Sequence, residues 1–167
     1  MKKRIIILTS IIFLMIISIF IIVGIQKKKD KEELIMNFYD NVFTNSILLE
    51  NLANDMVNNW HDAIFNDKYD NIEDAIKSAI EKNSSTITEI NNNDFIIDTQ
   101  YSTIRKLSDK ETNSTAIAIK ETYNTYYKLY NLVTDPSGKN YNEFISSYNE
   151  ISEELIVNMN ELNILIN

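Results

Sequence analysis

The chain reads as all-α: an N-terminal single transmembrane helix followed by an elongated antiparallel helical bundle of three to four long helices. Three observations predict this. A run without a single charge fills residues 5–25. Beyond it, apolar residues recur at alternating spacings of three and four, the heptad signature of helices packed at a shallow angle. Two glycines and one proline in 167 residues leave too few turn sites for a β-rich fold.

The apolar run sets the address of the chain. Its length corresponds to about 31 Å of helix, enough to cross a hydrocarbon core of roughly 30 Å. A cleaved signal peptide has a shorter apolar stretch and an A-x-A-like site, whereas residues 1–30 contain no alanine. With no cysteine in the chain, lipidation as a lipoprotein is excluded. A type IV pilin would need a glutamate just inside the helix, and residues 5–25 hold none. The expectation is a retained signal anchor that contacts membrane lipid through residues 5–25. Residues 1–4 form its basic flank, 26–33 a charged juxtamembrane linker, and 34–166 the bundle domain.

Lys2, Lys3 and Arg4 flank the run on one side and Lys27, Lys28, Lys29 and Lys31 on the other, so the positive-inside rule is nearly balanced. The free amine and the basic start that export machinery reads favour the N-terminus inside and the bundle outside. From residue 32 onward the chain carries 9 Lys+Arg against 23 Asp+Glu, a balance of −14. That excludes nucleic acid as a partner, because such binding depends on neutralising phosphate. The same charge repels anionic headgroups, so the bundle is expected to stand off the bilayer. An excess of asparagine and isoleucine, 23 and 29 residues, points to an AT-rich bacterial or phage genome.

The first helical stripe is Ile35, Phe38, Val42, Leu49, Leu52, Met56 and Ala63, widened by Trp60 and Ile64 and interrupted by Asn45 and Asn59. Residues 66–71 break the pattern as a turn. The second stripe is Ile76, Ile80, Ile87, Ile90, Ile97, Tyr101 and Ile104, with Asn83 and Asp94 at core-type positions. Asn91-Asn92-Asn93-Asp94 is a poor helix former at which this helix is expected to kink or break. Ser108-Asp109-Lys110-Glu111 matches a capping box and should start a helix carrying Ile119, Tyr123, Tyr126, Tyr130 and Val133. After the Asp135-Pro136-Ser137-Gly138 turn, the last stripe is Phe144, Tyr148, Ile151, Leu155, Leu162 and Leu165, interrupted at Asn158.

Little in this pattern carries reaction chemistry. His61 is the only histidine and there is no cysteine, so zinc lacks its usual donors. The two glycines, Gly24 and Gly138, cannot build a phosphate loop or a nucleophile elbow. The expectation is a non-enzymatic protein without cofactor or metal. Tyrosine is the exception to a plain composition: Tyr123, Tyr126, Tyr127, Tyr130, Tyr141 and Tyr148 should gather near the last turn. As an aromatic core layer they would support the bundle; as a contact surface they would meet a partner, with Tyr127 the most exposed.

The resulting functional expectation is a single-pass membrane protein presenting an acidic bundle to a protein partner at the cell envelope. Self-association is left open. In layout alone (basic start, one membrane helix, helical exterior) the chain is similar to phage superinfection-exclusion proteins, which implies a block to incoming phage DNA. A sensor ectodomain is a further alternative, and a cytoplasm-facing scaffold follows if the topology is reversed.

Overall fold

The computed structural model describes the backbone of residues 2–107 and 114–167, with the side chains of residue 26 and of residues 28–107 and 114–167. The capping box expected at Ser108 and Glu111 lies outside the described residues, as do the side chains of residues 5–25 and of Lys2, Lys3, Arg4 and Lys27. Among the described residues no helix is long and apolar enough to cross a membrane.

Among the described residues five helices make an all-α bundle: α1 (Lys2–Phe65), α2 (Ile72–Lys82), α3 (Ser84–Leu107), α4 (Ser114–Thr134) and α5 (Tyr141–Ile166). α1 is the spine, packed against each of the other four. α2 and α3 descend one side of it, as successive bonds Asp55–Lys82, Asn45–Asn93 and Asn41–Gln100 record. α4 and α5 form an antiparallel hairpin on the other side, tied by Thr125 and Lys128 to Glu154. α4 also meets α3 and closes the bundle.

The joints follow from local chemistry. α1 ends where Asp67 enters the left-handed region (φ 48°), which a short acidic residue tolerates as a helix stop. Asp62 gathers the released groups, accepting from Asn66 Nδ2 and Lys68 Nζ, both at 2.8 Å. Asn71 caps α2 by accepting from Asp74 N at 2.9 Å, with Glu73 and Asp74 placed favourably in the first turn. In the α4–α5 turn Gly138 has φ 77°, and a Cβ there would meet nothing within 4 Å. Backbone conformation rather than space therefore selects glycine. Asn140 and Glu143 then form a reciprocal capping box at the start of α5.

The second stripe departs from expectation. Residues 91–94 stay helical inside α3, and the interruption falls at Asn83 instead, giving five helices where three to four were expected. Asn83 caps α2 with its side chain on Ala79 O and also bonds Asp55, both at 2.9 Å. The weak helix formers at 91–94 are held by bonds to other helices: Asn91 to Tyr130, Asn93 to Asn45, Asp94 to Tyr126. Tertiary bonding thus overrides the local preference.

The stripes also drift. Ala53 and Trp60 are buried on α1, whereas Ala63 is half-buried and Ile64 exposed. A straight α-helix slips by about 20° per heptad against a seven-residue repeat, so the buried face moves on within a few turns. On α2 the buried residues are Ala75 and Ala79, and Ile80 is exposed. These alanines let α2 approach closely enough for Asn59 Nδ2 to reach Ala75 O at 3.2 Å. At the end of α5, Met159 and Leu162 fill the core and Leu165 faces solvent.

Candidate functional site

The site grows from one buried asparagine. Asn45, fully buried on α1, donates to Ile90 O (3.1 Å) and to Tyr126 Oη (2.7 Å), and accepts from Asn93 Nδ2 (3.3 Å). Tyr126 Oη in turn donates to Asp94 Oδ1 at 3.0 Å. Three helices meet in this polar layer, and every bond in it crosses between them. Next to it, Tyr123 donates to Asp98 and Tyr130 to Asn91. Three of the four phenols of α4, those of Tyr123, Tyr126 and Tyr130, thereby find acceptors on α3 at matching heights, the antiparallel register that i, i+3 and i, i+4 spacing produces.

Outside the layer the rings form a ladder. Tyr101 of α3 stacks on Tyr123 at 3.8 Å and 9°. Tyr123 continues to Tyr127 at 6.1 Å, and Tyr127 to Tyr130 at 6.3 Å. Tyr127 is 47% exposed and forms the solvent rung. Phe95 on α3, 74% exposed, is another uncovered ring on the bundle surface.

Burial, first of all, pushes the hydroxyls of Tyr123, Tyr126 and Tyr130 above the ordinary phenol range, and nearby carboxylates add to the shift. These groups are therefore protonated donors rather than phenolate nucleophiles. Burial likewise raises Asp94, assisted by the charge of Asp98, while the Tyr126 bond opposes it. The arrangement is suited to holding three helices in register and to offering a flat aromatic face. It supplies no activated nucleophile.

Of the six tyrosines singled out in the sequence, four come together: Tyr123, Tyr126, Tyr127 and Tyr130. The other two lie elsewhere. Tyr141 packs edge-on to Trp60 at 6.3 Å, and Tyr148 stacks on Phe144 at 6.4 Å. By ring contact and hydrogen bonding the six fall into two sets, the α4 tyrosines beside α3 and Tyr141 and Tyr148 against Trp60 and Phe144. Of the expected basic flank, Lys28 pairs with Glu32 at 3.6 Å and Lys29 is exposed. His61 is exposed and packs at a tilt against Phe65, with ring centroids 4.7 Å apart. Among the described residues no group of three or more His, Cys, Asp or Glu could hold a metal ion.

Sequence reasoning missed Tyr101 as the first rung and Asp94 and Asp98 as acceptors. The i, i+4 spacing of Asp94 and Asp98, matched to Tyr126 and Tyr123 three apart on α4, is the signal that would have found the two acceptors. Comparison with family models, with curated proteins and with solved structures finds no match.

Proposed function

We propose that the chain is a single-pass, membrane-anchored, non-enzymatic protein whose antiparallel bundle is presented outside the cytoplasm for contact with a protein partner. The observation that carries this reading is the uncharged run at residues 5–25, which begins the chain segment that continues into the spine of the bundle. A helix without a break between anchor and bundle would hold the bundle at a defined height and orientation above the bilayer.

The contact face assigned in this reading is the ladder at Tyr127 with its neighbours Tyr123 and Tyr130. Tyrosine offers a large rigid area with little conformational entropy to lose, which is why it is favoured where surfaces meet. The non-enzymatic part of the reading is supported by phenols held in their protonated form and by a histidine that contacts an aromatic ring instead of a carboxylate pair.

Protease shaving of intact cells carrying a C-terminal tag tests the proposal. Loss of the tag, with the anchor retained in the membrane fraction, is the expected result. A tag cleaved only after lysis would overturn the outward orientation and assign the bundle to a cytoplasmic partner.

A further inference from the structure

Where α3 ends and α4 begins, the bundle opens a groove of about 750 Å³. Arg105, Lys106 and Lys120 line it beside Tyr101 and Tyr123. From residue 32 onward the chain has only 9 Lys+Arg among 23 acids, so a third of its bases face one groove. All three are exposed, and none forms an ion pair with another described residue. Among the described lining residues the acid is Asp98, and it is engaged by the Tyr123 hydroxyl. The Arg105 guanidinium lies over the Tyr101 ring at 5.8 Å, which orients its donor fork.

The groove's position narrows what it can meet. Lys31 Nζ donates to Leu107 O at 3.5 Å, so the end of α3 is level with Lys31 on the spine. Lys31 follows the uncharged run by six residues, about 9 Å along a helix axis. Headgroups extend roughly 5–8 Å beyond the hydrocarbon core, so the lower rim of the groove stands just above them, within reach of a long basic side chain.

We propose that this groove receives the phosphate headgroup of an anionic membrane lipid. Arg105 grips the phosphate through paired N–H donors, Lys106 and Lys120 supply the remaining charge, and the stacked Tyr101 and Tyr123 form the wall. The inference rests on the anchored reading above. It also refines the charge argument: the −14 balance repels an anionic surface on average, while one end of the bundle attracts it. Such opposition orients the bundle with its basic end toward the bilayer.

The test uses the full chain in nanodiscs. Because the chain lacks cysteine, Ser102→Cys in the groove can carry a single fluorophore. Discs contain either phosphatidylcholine alone or phosphatidylcholine with phosphatidylglycerol, each with a nitroxide quencher on the headgroups. The expected result is stronger quenching in the anionic discs, lost when Arg105, Lys106 and Lys120 are all changed to Gln. A base near an anionic surface contributes about a five-fold gain in binding, so three together give on the order of a hundred-fold. Changing Lys77, Lys82 and Lys139 to Gln at other exposed sites should leave the quenching unchanged.

Equal quenching in both discs, or quenching that survives the groove substitutions, overturns the proposal. Quenching abolished by millimolar inorganic phosphate assigns the groove to a free anion and overturns the lipid assignment. A chain that fails to float with liposomes sinks the anchored reading and this inference with it. A chain that floats without headgroup-dependent quenching sinks this inference alone.

Discussion

Two aromatic regions at different heights on α1 handle burial in opposite ways. Around Asn45, the buried polar groups of three helices satisfy one another, and Tyr126 both accepts and donates. Around Trp60 the packing is nearly all apolar. The indole, 2% exposed, meets Phe144 at 5.5 Å and Tyr141 at 6.3 Å, and its N–H has no hydrogen-bond partner among the described residues. The first region gains little net energy per bond but penalises any shift of register, since a slipped helix would strand several buried groups. The second gains from area and tolerates one unmade bond. Strength and alignment are therefore supplied at separate places on the spine.

The strongest way to break this contrast is Trp60→Ala. Removing the ring should cost about 3–5 kcal/mol, as large-to-small core changes do, and lower the midpoint of urea unfolding accordingly. Asn45→Leu should cost less, about 1–3 kcal/mol, because it leaves the Asn93 and Ile90 groups short of a partner. Its signature is coupling: combined with Tyr126→Phe it should be non-additive by more than 0.5 kcal/mol, roughly the threshold for residues in one network. Additive losses at these two positions would mean that the layer is not a network.

Two carboxylates sharpen the comparison through pH. Asp94 has its folded pKa raised above the ordinary 3.8, chiefly by burial. Its contribution is fully present below the unfolded value and is lost as pH rises through the folded one. Asp55 is lowered from 3.8, first by the Asn83 bond and then by Lys82. Its contribution is present above the unfolded value and disappears as pH falls through the folded one. In stability–pH curves, Asp94→Asn should remove a decline as pH rises above 3.8, and Asp55→Asn a decline as pH falls below 3.8. Identical curves for the two variants would contradict the opposite environments assigned to them.

The smallest effect on folding is expected at Tyr127→Ser, within about 0.5 kcal/mol for an exposed site. Its effect on partner capture should be large if the ladder is the contact face. A pull-down at the cell envelope that is unchanged by the substitution would move the contact elsewhere.

Helix content, the turns at 66–71 and after Asp135, and most of the α1 stripe follow from spacing and turn chemistry, which are local properties. What spacing did not reveal was decided between helices. The break at Asn83 rather than at 91–94 depends on Asp55, 28 residues away, and on bonds from α1 and α4 to the asparagine run. The division of six tyrosines into two clusters depends on which helix each face meets. Of the tyrosine site, the exposure of Tyr127 could be inferred from its position off the stripe, whereas Tyr101, which stacks on Tyr123, lies 22 residues before it on another helix and has no local signal.

Since α1 touches every other helix, the order of synthesis matters for assembly. The spine leaves the ribosome before anything it packs against exists, with Phe38, Leu49, Leu52 and Trp60 uncovered. α2 and α3 shield one flank first, and the α4–α5 hairpin must arrive before the other is covered. Nascent chains halted at about residue 107 would carry half a core open to water, and chaperone demand should peak there and fall once α5 is complete.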